Sequence, residues 1–570
     1  MTAPAAQGPE FKNLVIAIIA ATAIMIGWQH FYERPRLAAM QAQQASVEAR
    51  TQREAARPPA FVAQPAAAQN AGDAPRIRIN TPALHGSFSV VGNRFDDLTL
   101  ASYHEENVAG SPEVTLLKRA GEKEAYFIEL GMLAHETEVR LPDAATRWQT
   151  SDRELGVGKP VTLTWSNGAG LQFTRTIAVD EHFMFTVTTR VQNNGSSAVT
   201  LYPYGLVSRN YDDAAPHFAF MHEGPLGAVN GVLEDVSYKD LREDGAKKFT
   251  DTQGWVGMTD KYWLTALIPD GQEKFDAEFK HFARGQADAY QADLRGQALE
   301  VPVGQSVSTR TRIFAGAKVV GQLDRYREEF NIPLFDRAVD FGSLYFLTRP
   351  IFSLLTYFHG IVGNFGVAIL LLTFCIKLAL FPLASKSMTS MSRMKQLTPK
   401  MTELRERHKD DKMRLNQEIM ALYKREKVNP VSGCLPILLQ IPIFLALYRV
   451  LFVTIEMRHA PFFGWVTDLS AVDPTNLFTL FGLLPWAVPS FLHLGVWPLV
   501  MCATMVIQQR LNPKPADPIQ AAMMNYMPFI FLFMFAGFPA GLVIYWVCNN
   551  TLSILQQLYI NTRLTKKGLR

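Results

Sequence analysis

Long apolar segments near both ends of the chain constrain its fold more than any other feature. The first is NLVIAIIAATAIMIGWQHFY, residues 13–32, and five more follow residue 360. Those five lie at about 361–383, 434–455, 494–511, 524–538 and 541–560. About 20 apolar residues in a helix are enough to cross the hydrocarbon core of a bilayer. The sequence therefore predicts an α-helical membrane protein with six transmembrane helices, five of them in a core at residues 361–560.

The N-terminal apolar segment is predicted to remain in the protein as a transmembrane helix. It is longer than the apolar core of a secretory signal, although the small residues Ala38 and Ala39 leave a cleaved signal as the alternative. Residues 1–12 then form a short segment before the membrane. Residues 33–75 are rich in Ala, Gln and Pro and have no apolar period, which indicates a flexible linker.

Residues 76–335 show the period-two alternation of β-strands. The segment VTLTWSNGAGLQFTRTIAV, residues 161–179, alternates on both sides of a Gly-rich turn and predicts a hairpin. The segment FMFTVTTRVQNNGSSAVTLY, residues 183–202, predicts a second hairpin with its turn at Asn194 and Gly195. Repeated pairs of this kind, without helical periodicity, predict one large antiparallel β-sandwich domain.

Charge and cysteine content exclude two classes of protein. A formal net charge of +4 over 570 residues is too small to indicate nucleic acid as a specific partner. The four cysteines lie in or beside apolar segments, at Cys375, Cys434, Cys502 and Cys548. The β region has no cysteine, so its stability cannot depend on a disulfide framework.

The charges of the loops predict the orientation in the membrane. Residues 384–433 contain twelve Lys or Arg and six Asp or Glu, whereas residues 456–493 contain Arg458 as the only Lys or Arg. By the positive-inside rule, the first loop and the basic tail at 561–570 are cytoplasmic. Counting the segments back from there places the N-terminus in the cytoplasm and the β domain on the opposite side.

Two segments beside the membrane core are predicted to be helical. Residues 341–360 are aromatic with few charges and are expected to form an amphipathic helix at the membrane interface. The basic loop 384–433 is expected to form a helical hairpin. Thr398 before Pro399 predicts the start of one helix, and Asp410 predicts the start of another.

Polar side chains inside the apolar segments indicate a functional site. Lys377 lies within LLLTFCIKLALFPL, residues 370–383. A lysine at the centre of a transmembrane helix costs roughly 2.5–3.5 kcal/mol, so a chain that keeps one usually has a use for it. Thr373 lies four residues earlier and therefore on the same helix face. The alternative is that Lys377 extends to the interface, six residues from the end of its segment.

Three further segments place polar groups in the same cytoplasmic half of the membrane. Buried in lipid, each of these groups would go unsatisfied at a cost of several kcal/mol. A shared hydrated groove, open to the cytoplasm and closed toward the other side, satisfies them together. The groove residues expected from this argument are Lys377, Thr373, Gln440, Gln508, Asn549 and Gln556, with Gln509, Asn550 and Ser553 nearby.

Three motifs carry a resemblance to a known family. KREKVNPVSGCLPILLQIPIFLALYRVLF, residues 424–452, and FPAGLVIYWVCNN, residues 538–550, resemble the YidC family of bacterial membrane protein insertases. GWVGMTDKYWLTALIP, residues 254–269, is similar to the periplasmic domain of the Gram-negative members, which itself resembles sugar-mutarotase sandwiches.

The resemblance implies an inner-membrane insertase, without enzymatic activity or cofactor, that receives nascent hydrophobic membrane proteins in a hydrophilic groove. It implies that the protein works alone or with the Sec translocon, and that the hairpin helps to recruit clients, with the ribosome as a further partner. Tyr545 and Thr373 match groove positions of the family, and Trp546 occupies a position often held by Tyr. Lys377 stands where the family usually has Arg, which keeps the charge but loses the planar fork.

Two other classes of function remain as alternatives. A membrane-anchored carbohydrate-binding or carbohydrate-modifying protein would need chemistry in the β domain, but His182, His217 and Asp260 have no recognisable catalytic or metal spacing. A transporter would be expected to show an inverted repeat or paired broken helices, which the sequence lacks. Arg449, in the outer part of the third apolar segment, is expected to pair with Glu456.

Overall fold

The computed structural model describes most of the chain from residue 74 to residue 566. The described ranges are 74–92, 94–134, 139–211, 221–271, 273–284, 287–408, 411–426, 435–480, 483–484, 486, 488–489, 493–511 and 518–566. The predicted first transmembrane helix at 13–32, the short segment before it and nearly all of the predicted linker lie outside these ranges.

The β region forms strands separated by short turns. In chain order they are β1 Arg76–Asn80, β2 Leu84–Ser89, β3 Arg94–His104, β4 Glu113–Leu117, β5 Tyr126–Ala134, β6 Glu154–Leu155, β7 Val161–Ser166, β8 Leu171–Val179, β9 Met184–Asn193, β10 Val199–Tyr211, β11 Gly224–Val229, β12 Val232–Asp235, β13 Ala246–Thr252, β14 Gly254–Thr259, β15 Trp263–Pro269, β16 Phe275–Arg284, β17 Ala287–Gly296, β18 Leu299–Val301 and β19 Ser306–Ala317.

These strands build two sheets that enclose one large apolar core. The first sheet has the order β13-β16-β17-β10-β5-β3-β2-β1-β6, with β18 beside β10 and β4 beside β3. The second has the order β12-β11-β14-β15-β19-β9-β8-β7. Described strand pairs are antiparallel except β1 with β6. Aromatic residues such as Phe95, Phe173 and Phe185 are buried between the sheets. The predicted antiparallel β-sandwich is therefore confirmed.

Of the two predicted hairpins, one is present and one is not. Strands β7 and β8 pair from Val161 with Ile177 onward, as the alternation predicted. Strand β9 instead pairs with β8 and β19, whereas β10 belongs to the other sheet and pairs with β5, β17 and β18. The predicted hairpin at 183–202 is therefore wrong. Period-two alternation shows which face of a strand is buried, but it does not identify the neighbouring strand.

The crossing between the sheets is held by a side chain at the end of β9. The Asn193 amide donates to the carbonyl oxygens of Ser197 at 2.8 Å and Val301 at 2.9 Å. Its own oxygen accepts the amide of Gly195 at 2.9 Å. These bonds bind the turn to β18 rather than folding it back onto β9.

Helices follow the sandwich, apart from α1, which lies within it. In chain order they are α1 Tyr238–Asp244, α2 Val320–Glu329, α3 Tyr345–Val362, α4 Phe365–Ala379, α5 Phe381–Arg407, α6 Lys412–Arg425, α7 Leu435–Val453, α8 Val496–Leu511, α9 Pro518–Phe535 and α10 Ala540–Lys566.

Helix α3 is amphipathic and lies where the sequence predicts an interfacial helix. One face buries Ile351, Phe352 and Leu355 against the rest of the protein. The opposite face exposes large apolar side chains, among them Phe346 and Tyr357. The helix ends at Gly363, whose φ of 69° is readily adopted by glycine.

Helices α4 and α5 are joined by a sharp bend. The Asn364 side chain caps α4 by accepting the amide of Val367 at 3.1 Å, and Pro382 follows the break at Leu380. Across the described ranges, no helix on its own has both the length and the hydropathy of a membrane span. Helix α4 and the first ten residues of α5 meet these criteria as a pair bent by 64°, and Gln440–Val453 and Ala521–Phe535 are shorter apolar helices.

The basic loop forms two helices, but the first begins earlier than predicted. Helix α5 continues through Pro399, so the predicted helix start at Thr398 is wrong. An internal proline removes one backbone hydrogen bond, which a long helix with other contacts tolerates. The second helix begins one residue after the predicted position, because Asp411 caps it by accepting the amide of Arg414 at 2.9 Å. Lys400 pairs with Glu426 across the two helices at 2.9 Å.

Ion pairs and hydrogen bonds cross the junction of sandwich and helices. Arg449 on α7 pairs with Asp340 at 3.1 Å. Glu456 accepts the backbone amide of Val320, the first residue of α2, at 3.0 Å. The predicted Arg449–Glu456 pair is therefore wrong, because both residues find partners that are far away in sequence.

Candidate functional site

The site is centred on Lys377 near the C-terminal end of α4. Its ammonium group donates to the hydroxyl of Ser553 on α10 at 2.7 Å. The Ser553 hydroxyl donates in turn to the carbonyl oxygen of Asn549 at 2.8 Å. Lys377 has no carboxylate partner among the described residues. Its positive charge is therefore held by a neutral hydroxyl and is available to an acidic group.

The face of α10 that meets Lys377 is a polar stripe in an otherwise apolar helix. Tyr545, Asn549 and Ser553 are spaced four residues apart and therefore lie one above the other. All three are buried, with exposed fractions of 1%, 7% and 5%. Buried polar groups require partners, so this stripe needs hydrogen-bonding side chains on the facing helices.

Helix α7 supplies such a group at the other end of the stripe. The Gln440 side-chain amide donates to the hydroxyl of Tyr545. The hydrogen bonds from Gln440 to Tyr545 and from Lys377 to Ser553 thus connect α10 to α7 and to α4. Four of the predicted groove residues, Lys377, Gln440, Tyr545 and Asn549, are bonded along this stripe, Asn549 through its backbone carbonyl.

A second polar contact lies on another side of α10, facing α8. The Asn550 side-chain amide donates to the Thr504 hydroxyl at 3.2 Å, and the Gln557 amide donates to the carbonyl oxygen of Leu511 at 3.2 Å. Thr504 was missed by the sequence analysis. The signal was a hydroxyl in an apolar segment five residues before the Gln509-Arg510 pair, and it is weak because threonine often bonds only to its own helix.

Four predicted groove residues are not part of these bonds. Thr373 is buried but donates to Ile369 of its own helix at 2.6 Å. Gln508 has no hydrogen-bond partner in the described part of the chain, and the Gln556 side-chain oxygen is buried without one there. Trp546 packs in an aromatic cluster, with ring centroids 4.9 Å from Phe444 and 5.3 Å from Phe535.

The polar residues that the sequence analysis singled out in the β domain do not form a comparable site. Asp260 is paired with Arg209, whose guanidinium also lies 5.0 Å from the Tyr126 ring centroid. His182 contributes its backbone amide to Asp180 at 2.9 Å, and His217 lies outside the described residues. Over the described ranges, no group of three or more His, Cys, Asp or Glu is arranged to hold a metal.

Comparison with protein families gives two matches that together cover most of the chain. The family model described as 60Kd inner membrane protein matches residues 357–567. The model described as YidC periplasmic domain matches residues 76–354.

Curated relatives match over nearly the whole length. The membrane protein insertase YidC of Rickettsia bellii is 46% identical over 552 residues, which cover 96% of this chain and 98% of the relative. The membrane protein insertase YidC of Rickettsia canadensis is 45% identical over 554 residues, which cover 97% of this chain and 99% of the relative.

Solved structures with detectable similarity are more distant. A crystal structure of an active YidC insertase with its first transmembrane domain resolved aligns at 16% identity with a TM-score of 0.35, covering 84% of this chain and 92% of that one. A galactose mutarotase related enzyme from Lactobacillus acidophilus aligns at 9% identity with a TM-score of 0.31. The alignment covers 42% of this chain and 97% of that one.

Proposed function

The chain belongs to the YidC family of membrane protein insertases, and we propose that client segments bind in a groove beside Lys377, between α4, α7 and α10. The protein is an inner-membrane insertase with a periplasmic β domain, it acts on nascent membrane proteins, and it is not an enzyme. The observation that supports the groove is the hydrogen bond of 2.7 Å from the Lys377 ammonium, which has no carboxylate partner among the described residues, to Ser553 in a polar stripe between apolar helices.

The proposed topology has six transmembrane helices. They are the segment 13–32 and five more in the core at 361–560, with both termini and the α5–α6 hairpin in the cytoplasm. The twelve Lys or Arg between residues 384 and 433 support this orientation. It places Lys377 in the cytoplasmic half of the membrane, where a client arrives from the ribosome.

The charge of Lys377 is proposed to attract an acidic group near the N-terminus of a client. Two opposite charges 4 Å apart attract by about 4 kcal/mol at the effective dielectric of a partly buried site. This attraction is large enough for an acidic group to displace the neutral Ser553 hydroxyl as the partner of Lys377. The client tail is then held within the membrane before it crosses.

Two further effects are proposed to move the client outward. The apolar helix Ala521–Phe535 within α9 is about 22 Å long, shorter than the roughly 30 Å hydrocarbon core, so the bilayer beside it should thin. Transfer of the client's apolar helix into lipid then supplies about 25 cal/mol for each Å² buried. This mechanism needs no nucleotide.

The hairpin is proposed to make early contact with clients. Helix α6 exposes Met413 and Met420, with exposed fractions of 77% and 52%. Methionine side chains are flexible and polarizable, and they adapt to apolar partners of different shapes. The Sec translocon and the ribosome are proposed as further partners on the resemblance of the family motifs.

Site-specific photocrosslinking tests the groove. A photoreactive residue at position 440 should crosslink to a stalled nascent membrane protein, and this substitution leaves Lys377 intact. A photoreactive residue at position 377 should also crosslink to it. The control is position 374 on the exposed side of α4, where Phe374 has an exposed fraction of 53%. Crosslinks of equal yield at 374 and 440 would show that the client does not enter between the helices.

A further inference from the structure

A cavity of about 440 Å³ lies on one side of α5, close to its start. It is lined by Ser385, Lys386, Thr389, Ser390 and Arg393. These positions recur every three to four residues, so they share one face of the helix. Two cations and three hydroxyls thus line one side of an open space large enough for a small polar group.

No residue in the described part of the chain neutralises the two cations. Neither Lys386 nor Arg393 has an ion pair or a hydrogen bond with any described residue, and the described lining contains no carboxylate. Lys400, farther along the same helix, is by contrast paired with Glu426. The Thr389 hydroxyl donates to the carbonyl oxygen of Ser385 at 2.8 Å. The cavity therefore carries two uncompensated positive charges, which favour an anionic occupant.

The chemistry of the lining fits a phosphate group. A guanidinium donates two parallel hydrogen bonds to phosphate oxygens, while an ammonium acts as a point charge on the same group. Lys386 and Arg393 are seven residues apart, and Ser390 lies between them on the same face. A phosphate beside Ser390 is therefore within reach of both cations.

The position of the cavity fits the headgroup layer of a membrane. The lining residues lie six to fourteen positions after the end of α4, or about 9–21 Å along α5. The bend of 64° turns α5 away from the axis of α4. With α4 along the membrane normal, the bend leaves the cavity roughly 4–9 Å beyond the end of α4. The headgroup layer on each side of a bilayer is about 5–8 Å thick.

We propose that this cavity binds the phosphate of an anionic phospholipid of the cytoplasmic leaflet. The inference rests on the proposed topology, which places α5 on the cytoplasmic side, but not on a groove at Lys377. Basic pockets at this depth attract anionic headgroups, because the surface potential of the leaflet and the local cations act together. A bound lipid would hold the start of the hairpin at the membrane surface.

Native mass spectrometry of the full-length protein tests the site. The purified protein is titrated in detergent with phosphatidylglycerol and, in parallel, with phosphatidylcholine. The wild-type protein should retain phosphatidylglycerol in preference to phosphatidylcholine. The double variant Lys386→Gln/Arg393→Gln should lower that preference roughly five- to thirtyfold, as expected for one or two cations at an anionic surface.

Two matched variants separate the site from general charge. Arg414→Gln/Lys424→Gln removes the same charge from exposed positions on α6 and should leave the preference unchanged. Lys386→Arg/Arg393→Lys keeps the charge and should retain most of the preference for phosphatidylglycerol. Equal losses in both charge-removing variants would overturn the proposal, since the attraction would then be diffuse. Thermal unfolding of each variant in the same detergent verifies that it is folded.

Competition identifies the source of the phosphate. Inorganic phosphate in large excess should not displace phosphatidylglycerol, because it lacks the acyl chains. Displacement by inorganic phosphate alone, or by an acidic client peptide at equal concentration, would overturn the lipid assignment. Lys377→Ala should retain the lipid preference. Normal client insertion by that variant would reject the groove and leave the lipid site intact.

Discussion

The proposed function depends on the positive charge of one side chain, Lys377. Its hydrogen-bond partner explains why this charge remains available to an acidic group of the client. A carboxylate partner would neutralise the ammonium, whereas the Ser553 hydroxyl satisfies only one of its three donors at 2.7 Å. The serine is itself fixed, because its hydroxyl donates to Asn549. The ammonium is therefore positioned without being neutralised.

Replacing Lys377 should reduce insertion of single-span clients with acidic tails. We expect Lys377→Ala to lower insertion at least roughly fivefold and Lys377→Glu to lower it further, because attraction becomes repulsion. Lys377→Arg should be tolerated, since it keeps the charge. The measurement is insertion of a reporter client in cells depleted of the native insertase, with clients carrying neutral tails as the comparison.

Ser553→Ala is the control that separates charge from position. It keeps the cation and removes one hydrogen bond, worth about 0.5–1.5 kcal/mol, so insertion should fall much less than in Lys377→Ala. Normal insertion of acidic-tailed clients by Lys377→Glu would rule out the electrostatic role.

At the scale of elements, Glu456 links the loop after α7 to the start of α2. Burial raises the pKa of its carboxyl to about 7, with Arg349 opposing the shift. One oxygen accepts the Val320 amide, and the other is buried without a partner among the described residues. The pKa of Tyr103 is also raised. Burial is the larger cause, and the Glu456 carboxyl is the second.

The raised pKa of Glu456 predicts a pH dependence of stability. The folded state holds the proton up to about pH 7, whereas the unfolded chain releases it near pH 4.5. This contribution is therefore fully present below pH 4.5 and is lost as pH rises through 7. Glu456→Gln should remove it, so the unfolding temperature should fall less between pH 5 and pH 8 than in the wild type.

The control for Glu456 is a carboxyl at the surface of the hairpin. Glu403→Gln, at an exposed position on α5, should leave the pH dependence as it is in the wild type. Thermal unfolding in detergent, followed at several pH values, measures both variants. An unchanged pH dependence in Glu456→Gln would mean that its carboxyl titrates normally in the folded protein.

At the scale of the whole molecule, the sandwich and the helices are joined by a few polar contacts. The Arg458 guanidinium donates to the carbonyl oxygens of His104 at 2.6 Å and Glu105 at 3.1 Å. The Asn107 side-chain amide donates to the carbonyl oxygen of Thr467 at 2.8 Å. These bonds connect the end of β3 to the loop after α7.

Removing Arg458 should loosen that junction. In Arg458→Ala, we expect faster amide hydrogen exchange in both residues 103–107 and the loop after α7, because bonds to backbone carbonyls on the other unit are lost. Arg310→Ala, which removes an exposed arginine paired with Asp270 inside the sandwich, is the control. Faster exchange on only one side of the junction would contradict a direct connection through Arg458.

Much of the architecture was predictable because it follows from short-range patterns. Apolar length located the helical region, and period-two alternation predicted the sandwich and the β7–β8 hairpin. The strand partner of β9 was not predictable, since its neighbours β8 and β19 are separated by more than a hundred residues. The continuity of α5 through Pro399 was missed because a proline signal is local, whereas a helix is stabilised along its whole length.

The same division applies to the site. The sequence by itself determined which side chains are polar within apolar helices, because each helix must be mostly apolar to lie in lipid. Only the tertiary structure decided which of them meet: Lys377 with Ser553, Gln440 with Tyr545, and Arg449 with Asp340 instead of Glu456. The physical reason is that burial is encoded residue by residue, whereas a hydrogen-bond partner depends on how separate helices pack.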